Sequence, residues 1–165
     1  MAKTVDVQLI NPFMMATLEC LEVMVHMKPQ RKRIFIKEDP SMYGEVSGVI
    51  GMSNGIVGSC VVSFPMGLAE RVVASFLGET PPIIESVLQD GIGEITNMVA
   101  GGAKRRFCES GRKFDISTPT VVFGKHPTFL YNPSNCVCIA CEFSADGGSE
   151  HFLIEVATPL VDAKK

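Results

Sequence analysis

Six residues that could bind or orient a reacting group recur, mostly at three- and four-residue steps, between positions 90 and 104. They are Asp90, Gly93, Glu94, Asn97, Gly101 and Lys104. In a helix this spacing places the residues on one face. The face would combine two acids, an amide and a cation with two glycines, which leave the backbone bare.

Asn97 limits the chemistry that this face could perform. Its amide has no proton to exchange near neutral pH, so it cannot be a general base, but it can hold a water molecule through one donor and one acceptor. Such positioning suits hydrolysis of a group that is already reactive, such as a phosphoryl group. The sequence offers no Ser-His-Asp set, no glycine-rich phosphate loop and no cluster of metal-binding carboxylates as a competing site.

Glycine is frequent in the same segment. A glycine inside a helix costs about 1 kcal/mol relative to alanine. Four occur in the predicted helix, namely Gly91, Gly93, Gly101 and Gly102. The residues alone leave two interpretations open. The glycines either allow close packing against the sheet or another helix, or they clear a surface on which Glu94 and Asn97 meet a partner.

The cysteines are interpreted as small buried apolar residues. Cys136, Cys138 and Cys141 are spaced like metal ligands, but in a strand the first two face one side and the third faces the other. The next histidine in the sequence is His151, ten residues after Cys141. We therefore predict six reduced thiols and no metal site. The other histidines are assigned no chemical role: His26 at a helix end and His126 in a loop.

Three helices are predicted from apolar spacing and stop signals. The first begins at Asn11-Pro12 and has as its inward residues Phe13, Ala16, Cys20, Leu21, Met24, Val25 and Met27. The second runs from Met66 to Leu77, is closed by Gly78, and buries Leu68, Val72, Val73 and Phe76. The third runs from Ile84 to about Glu109, and its buried stripe is Ile84, Leu88, Ile92, Ile95, Val99, Ala103 and Phe107.

The remaining segments predict strands and loops. Val46 to Met52 and Ile56 to Phe64 form a hairpin around Asn54-Gly55. A short apolar alternation at Ile34 and Ile36 follows the basic run Lys28 to Arg33, which is predicted to be a solvated loop, although it could touch phosphate. Later strands span 116–123, 137–143 and 151–157, with turns at 132–135 and 146–148. Helices beside hairpin-connected strands predict an α+β fold, a largely antiparallel sheet covered by helices.

Composition excludes several classes of protein. A chain of 165 residues with 46% hydrophobic and 20% charged residues is not disordered, and a net charge of −3 argues against nucleic-acid binding. The uncharged stretch from Val46 to Ala69 holds glycines, a proline and polar residues, so it does not predict a membrane helix. The start of the sequence has no apolar core of a signal peptide, and we expect a cytoplasmic protein without membrane association.

The polar face from Asp90 to Lys104, taken with the residues between its members, resembles the signature helix of the CheX/CheC/FliY family of chemotaxis phosphatases. The segment from Asp90 to Lys104 reads DGIGEITNMVAGGAK, and its core is an acid, three residues, Glu94, two residues and Asn97. A proline about twenty residues later completes the pattern, for which Pro119 is the candidate. The likeness extends along nearly the whole chain. It includes INPF at the start of the first helix (10–13) and, in the hairpin, GVIG (48–51) and SFP (63–65).

The resemblance implies a single CheX-like domain over residues 1–165, with pseudo-symmetric halves. CheC-type members commonly carry the Glu-x-x-Asn pair twice. Here Glu22 is followed three residues later by Val25, so the single pair points to the CheX branch. Gly102 departs from the family pattern, because many members carry Asn there.

The implied activity is dephosphorylation of a CheY-type response regulator. Asn97 would align water on the phosphoaspartate, and Glu94 would pair with the lysine that receiver domains keep beside it. The contact surface would include Asp90, Gly93, Gly101 and Lys104. The regulator would supply Mg²⁺, and this chain would bring no cofactor of its own.

Two alternatives of other classes remain. The chain could be a module of the same fold that docks on a receiver, or on flagellar switch components, without catalysis. It could instead be a structural dimer whose glycine helix only packs, in which case Glu94 and Asn97 should be buried or paired internally. We also predict a homodimer, because a mean hydropathy of +0.24 and late strands rich in Cys, Val, Ile and Phe suggest apolar sheet edges that need covering. The resemblance implies that such a dimer is joined through strands.

Overall fold

The computed structural model describes residues 3–4, 6–125 and 135–162. The helices are α1 (Ile10–Val23), α2 (Met66–Leu77) and α3 (Glu85–Glu109). The strands are β1 (Lys3–Thr4), β2 (Gln30–Ile36), β3 (Val46–Ser53), β4 (Gly58–Phe64), β5 (Asp115–Ile116), β6 (Thr120–Phe123), β7 (Cys136–Ser144), β8 (His151–Pro159) and β9 (Val161–Asp162). The predicted loop at His126 and most of the predicted turn at 132–135 lie outside the described residues.

The main sheet is antiparallel, as predicted. Its order is β2-β7-β8-β4-β3-β5, and β6 also pairs with β3. The predicted hairpin is present as β3 and β4, and its turn residues Asn54 and Gly55 have φ angles of 56° and 144°. A separate pairing of β1 with β9 was not predicted.

The helices cover one face of this sheet. α3 packs on β3 and against α1 and α2. Gly48 of β3 faces Thr96 of α3 so closely that a Cβ on Gly48 would clash with the Thr96 side chain. This contact fixes the height of α3 above the sheet. Phe107 of α3 packs edge-to-face against Phe13 of α1, with ring centroids 5.9 Å apart.

The second and third helices have nearly the predicted limits, whereas the first ends at Val23 and not near Met27, and two apolar assignments were wrong. α1 ends at Val23, so Met24 leaves the helical stripe and is 43% exposed. Ile84 precedes the first turn of α3 and is 69% exposed. Phe76 is only partly buried. The rest of the predicted α3 stripe is buried, which orients the helix as expected.

Two strand predictions are corrected. The basic run is not wholly a loop, because Gln30 to Arg33 belong to β2, an exposed edge strand. The single strand predicted over 116–123 is divided into β5 and β6. Pro119 has no N–H to donate to a ladder. Ser117, the first residue of the break, donates its N–H to the Gly51 carbonyl and accepts a hydrogen bond at Oγ from the Gly51 N–H, both at 2.9 Å.

The apolar late strands are internal rather than at an edge. β7 lies between β2 and β8, and β8 lies between β7 and β4. The described edges are β2 on one side and the short β5 and β6 on the other. The expectation of apolar edge strands was therefore wrong. Among the described residues, no helix is both long and apolar enough to cross a membrane.

Candidate active site

The solvent face of α3 carries most of the predicted site residues, but the expectation that Gly93 is part of an open surface was wrong, because Gly93 is buried. The apolar stripe of α3 is held against β3 and α1, so the opposite face is turned outward. Glu94 is exposed and Asn97 is partly exposed. Their three-residue spacing places the two Cβ atoms roughly 5–6 Å apart on neighbouring turns. The helix therefore presents a carboxylate and an amide side by side.

Neither of these side chains is bonded to another described side chain or backbone group. Within the part of the chain that the structure describes, no hydrogen bond or ion pair involves the Glu94 carboxylate or the Asn97 amide. The structural-dimer alternative predicted that both would be buried or paired internally, and the described residues do not meet that prediction. With respect to the described residues, both donors and the acceptor of the Asn97 amide are available to bind a water molecule.

A groove between α3 and β6, the α3–β6 groove, lies on one side of this face. Its volume is about 390 Å³, and it is lined by Gln89, Asp90, Gly93, Glu94, Pro119, Thr120 and Val121. A Cβ on Gly93 would lie 3.6 Å from Cγ of Pro119, which is an ordinary contact. The structure thus brings Pro119 beside Glu94, although 25 residues separate them in the sequence.

A second groove, the α1–α3 groove, lies between those two helices and has a volume of about 430 Å³. It is lined by Ala16, Glu19, Cys20, Val23, Met24, Asn97, Met98, Gly101, Gly102 and Arg105. Asn97 is one of its walls. The residues of α1 were not recognised as part of a site from the sequence, because no motif links them to α3. Only the packing of the two helices brings them together.

The four helical glycines have different roles. A Cβ on Gly91 would lie 2.6 Å from Val73 of α2, and one on Gly102 would lie 2.9 Å from the Ala16 Cβ of α1. Both positions allow close helix packing. Gly93 makes an ordinary contact, whereas a Cβ on Gly101 would meet nothing within 4 Å. The packing interpretation therefore holds for Gly91 and Gly102, while the interpretation as a surface for a partner stays a prediction for Gly101, where no packing contact requires a glycine.

Asp90 and Lys104, two of the predicted contact residues, differ in whether their charge is paired within the chain. Asp90 is exposed in the second turn of α3 and is not a helix cap, since the helix begins at Glu85. Nζ of Lys104 lies 3.4 Å from Oδ1 of Asp115, so its charge is already paired within the chain. A hydrogen bond from Asn54 and this interaction with Lys104 lower the pKa of Asp115.

Charges at the α1–α3 groove are mutually compensated. Glu19 accepts a hydrogen bond from Arg106 at 2.6 Å, and Arg105 lies 3.6 Å from the same oxygen. This contact with Arg106 lowers the pKa of Glu19. Burial raises the pKa of the Cys20 thiol to about 11, and the nearby carboxylates of Glu19 and Glu94 add to the rise. Cys20 is therefore a protonated, apolar part of the floor rather than a nucleophile.

The predicted metal-like cluster divides between the two faces of β7. Cys141 is buried in the core under the helices, while Sγ of Cys138 lies 3.9 Å from Glu155 on the other side. Burial raises the pKa of Cys138 to about 12. Among the described residues, no three His, Cys, Asp or Glu side chains are placed to hold a metal ion.

Comparison with known proteins places this geometry in context. Residues 46–144 match the family described as chemotaxis phosphatase CheX. The CheY-P phosphatase CheX of Thermotoga maritima is 29% identical over 122 residues, which are 73% of this chain and 78% of that protein. The crystal structure of CheX from Vibrio vulnificus is 37% identical with a TM-score of 0.80, and the match covers 90% of this chain and 97% of that one.

A structure from Borrelia burgdorferi shares the fold at lower identity. It is a CheX-CheY complex with BeF₃ and Mg²⁺, matched at 20% identity and a TM-score of 0.73 over 94% of this chain and 99% of that one.

Proposed function

The chain belongs to the CheX family of chemotaxis phosphatases, and from this we propose that it hydrolyses the phosphoaspartate of a CheY-type response regulator. The observation that carries the proposal is the pairing of Asn97 with Glu94 on the outer face of α3. Both side chains are accessible, and neither is committed to another group within the described residues. A partner that covers this face would meet both at once.

Asn97 is the proposed catalytic residue. When α3 enters the regulator's active site, the Asn97 amide accepts one hydrogen bond from a water molecule and donates another to its oxygen. The water oxygen attacks phosphorus opposite the aspartyl oxygen, and the P–O bond to the aspartate breaks with its electron pair leaving on the carboxylate. The products are the aspartate carboxylate and inorganic phosphate, which keeps both protons of the water. An acyl phosphate is reactive enough that alignment of water lowers the barrier without a general base.

Glu94 is the proposed docking residue. Its carboxylate, one turn before Asn97, pairs with the lysine beside the phosphoryl group and so sets the register of the two proteins. Asp90 and Gly93 extend the same contact into the α3–β6 groove. On the other side of Asn97, Gly101 has no side chain that would hold the receiver away from the helix. Lys104 belongs to the same contact surface while its charge stays paired with Asp115.

We assign the divalent cation to the regulator and none to this chain. Mg²⁺ bound by the regulator at the phosphorylation site would supply neutralisation of charge on the phosphoryl oxygens. The Borrelia burgdorferi relative, which was solved as a CheX-CheY complex with BeF₃ and Mg²⁺, supports this arrangement.

A decay assay tests the proposal and separates it from the alternative of a non-catalytic docking module. Several purified CheY-type receivers are phosphorylated with acetyl phosphate, the donor is removed, and loss of phosphoaspartate is followed with and without this protein. We expect faster decay of at least one receiver at substoichiometric amounts of the protein. A chain that binds a receiver but leaves its decay rate unchanged is a docking module, and the catalytic proposal is then wrong.

A further inference from the structure

The α1–α3 groove continues directly from the proposed catalytic residue. Asn97 is one wall, and Gly101, one turn further along α3, lies beside it. Any partner that brings a phosphoryl group to Asn97 must therefore cover the mouth of this groove. The residues on its far wall are Val23, the last residue of α1, and Met24, which follows it, and neither is part of the Glu-x-x-Asn motif.

The groove has the character of a site for an apolar side chain. Val23 is 60% exposed and Met24 is 43% exposed, so both display apolar surface to solvent in the isolated chain. The one carboxylate of the lining, Glu19, is held by Arg105 and Arg106. Cys20 adds a protonated thiol to the floor. An entering charge would find no unpaired counter-ion among these groups, whereas an apolar group would be desolvated favourably.

Gly101 gives an independent reason to expect an occupant. The fold does not need a glycine there, because a Cβ at this position would meet nothing within 4 Å. The residue nevertheless lowers the stability of α3 by about 1 kcal/mol relative to alanine. Its adjacent glycine is explained by packing on Ala16, which leaves Gly101 as the position that opens the groove beside Asn97.

We propose that the α1–α3 groove binds an apolar side chain of the phosphorylated receiver, from the receiver surface next to its phosphorylation site, and that Met24 is a specificity-determining contact. This inference rests on the proposed function, since the position of Asn97 identifies the receiver as the occupant. A volume of about 430 Å³ suits one or two side chains rather than a whole helix. A second copy bound in the groove would exclude the receiver from Asn97.

Paired methionine variants test this inference. Met24 and Met15 are both on or next to α1 and similarly exposed, at 43% and 48%, but only Met24 lines the groove. Binding is titrated against CheY-type receivers loaded with beryllofluoride and Mg²⁺, which imitates the phosphoryl group. We expect Met24→Ala to weaken binding about tenfold and Met24→Glu more strongly, as for a buried contact at an interface. Met15→Ala and Met15→Glu should stay within about twofold of the parent.

Kinetics separate this contact from the chemistry. The kinetic assay uses a receiver that the parent dephosphorylates. Met24→Ala should raise KM and leave kcat unchanged, because Met24 contacts the receiver equally in the ground state and in the transition state. Equal binding by the Met24 and Met15 variants would overturn the inference. So would a Met24→Glu variant that changes only self-association, because the occupant would then be a second copy.

The same titrations distinguish failure of the inference from failure of the proposed function. If the parent binds a receiver but does not hydrolyse its phosphoaspartate, the catalytic proposal is wrong. The comparison of the Met24 and Met15 variants still tests whether the groove binds the receiver. If the parent neither binds nor hydrolyses any receiver of the panel, both are overturned.

Discussion

A Cβ on Gly102 would lie 2.9 Å from the Cβ of Ala16, so α1 and α3 touch at this point without space for a larger residue. The preceding residue, Gly101, has open space where a side chain would be. Two adjacent glycines of one helix thus have different surroundings. One serves the fold, and the other leaves a surface bare beside Asn97.

Substitution of these two glycines should have opposite effects on stability. Gly101→Ala should raise the free energy of unfolding by about 0.5–1 kcal/mol, because alanine is the better helix former and meets no clash. Gly102→Ala should lower it by about 1–3 kcal/mol through overpacking on Ala16. Urea denaturation measures both changes. If Gly101 serves the receiver contact, the more stable variant should also have a higher KM for phosphorylated receiver.

Asn97→Ala should remove most of the activity without affecting folding, since the side chain is partly exposed and makes no hydrogen bond within the described residues. Loss of one positioning contact should slow phosphoaspartate hydrolysis on the order of 10²-fold, or about 3 kcal/mol. The decay rate at saturating receiver is the measurement, with circular dichroism as the folding control. A variant that clears phosphorylated receiver as fast as the parent would show that another group aligns the water.

Glu94→Gln should affect binding more than chemistry. The substitution keeps the shape of the side chain but removes the charge that pairs with the receiver's lysine, and we expect KM to rise on the order of tenfold. The rate at saturating receiver should fall much less. Normal binding with a chemical step as slow as that of Asn97→Ala would instead place Glu94 in the chemistry.

Much of the site was predictable because α3 obeys one periodicity over its whole length. The apolar stripe from Leu88 to Phe107 fixes which face is buried, and Glu94 and Asn97 follow on the opposite face. The α3–β6 groove was only partly predictable. Pro119 was identified because it follows the motif by about twenty residues in the sequence. Its position next to Gly93 depends on the conformation of the break between β5 and β6, which the sequence does not reveal.

Other features could not be predicted because tertiary contacts decide them. The first four residues of β2, Gln30 to Arg33, form an exposed and mostly basic edge, so they lack the alternation of apolar and polar residues that marks a half-buried strand. Met24 continues the helical spacing of α1, yet the helix has already ended and the side chain turns outward. The α1–α3 groove exists because Ala16 and Gly102 approach closely, which no local pattern reveals.

Alkylation should distinguish the cysteines by burial. Cys108 is exposed, whereas Cys20, Cys60, Cys138 and Cys141 are buried. Burial raises the pKa of the Cys60 thiol to about 12 and that of Cys141 to about 11, so these groups hold little thiolate at pH 8. We expect iodoacetamide to modify Cys108 first in the native protein and all six cysteines in denaturant. Peptide mass spectrometry identifies the sites, and early modification of Cys60 would contradict the described core.

Homodimerisation remains a prediction, and the sheet order now indicates where it would occur. α3 packs over β3 and β6, so pairing along the β5 and β6 edge would crowd the motif helix. β2 lies at the opposite edge, where Ile34 and Ile36 are 38% and 53% exposed. Because the Lys37 N–H bonds to Cys138 of β7, the alternation of an antiparallel strand directs the Ile36 N–H toward the free side.

We therefore predict a homodimer joined along β2, with two independent Asn97 sites remote from the contact. Light scattering at micromolar concentration should give about twice the chain mass of 17.9 kDa. Ile36→Pro removes the outward N–H and should give a monomer, while Val57→Pro is a control outside the sheet edge at a similarly exposed position (53%). Activity per chain should persist in the monomer, because each site lies within one protomer. A parent chain that scatters as a monomer, or a dimer with its Asn97 helices face to face, would refute the β2 contact.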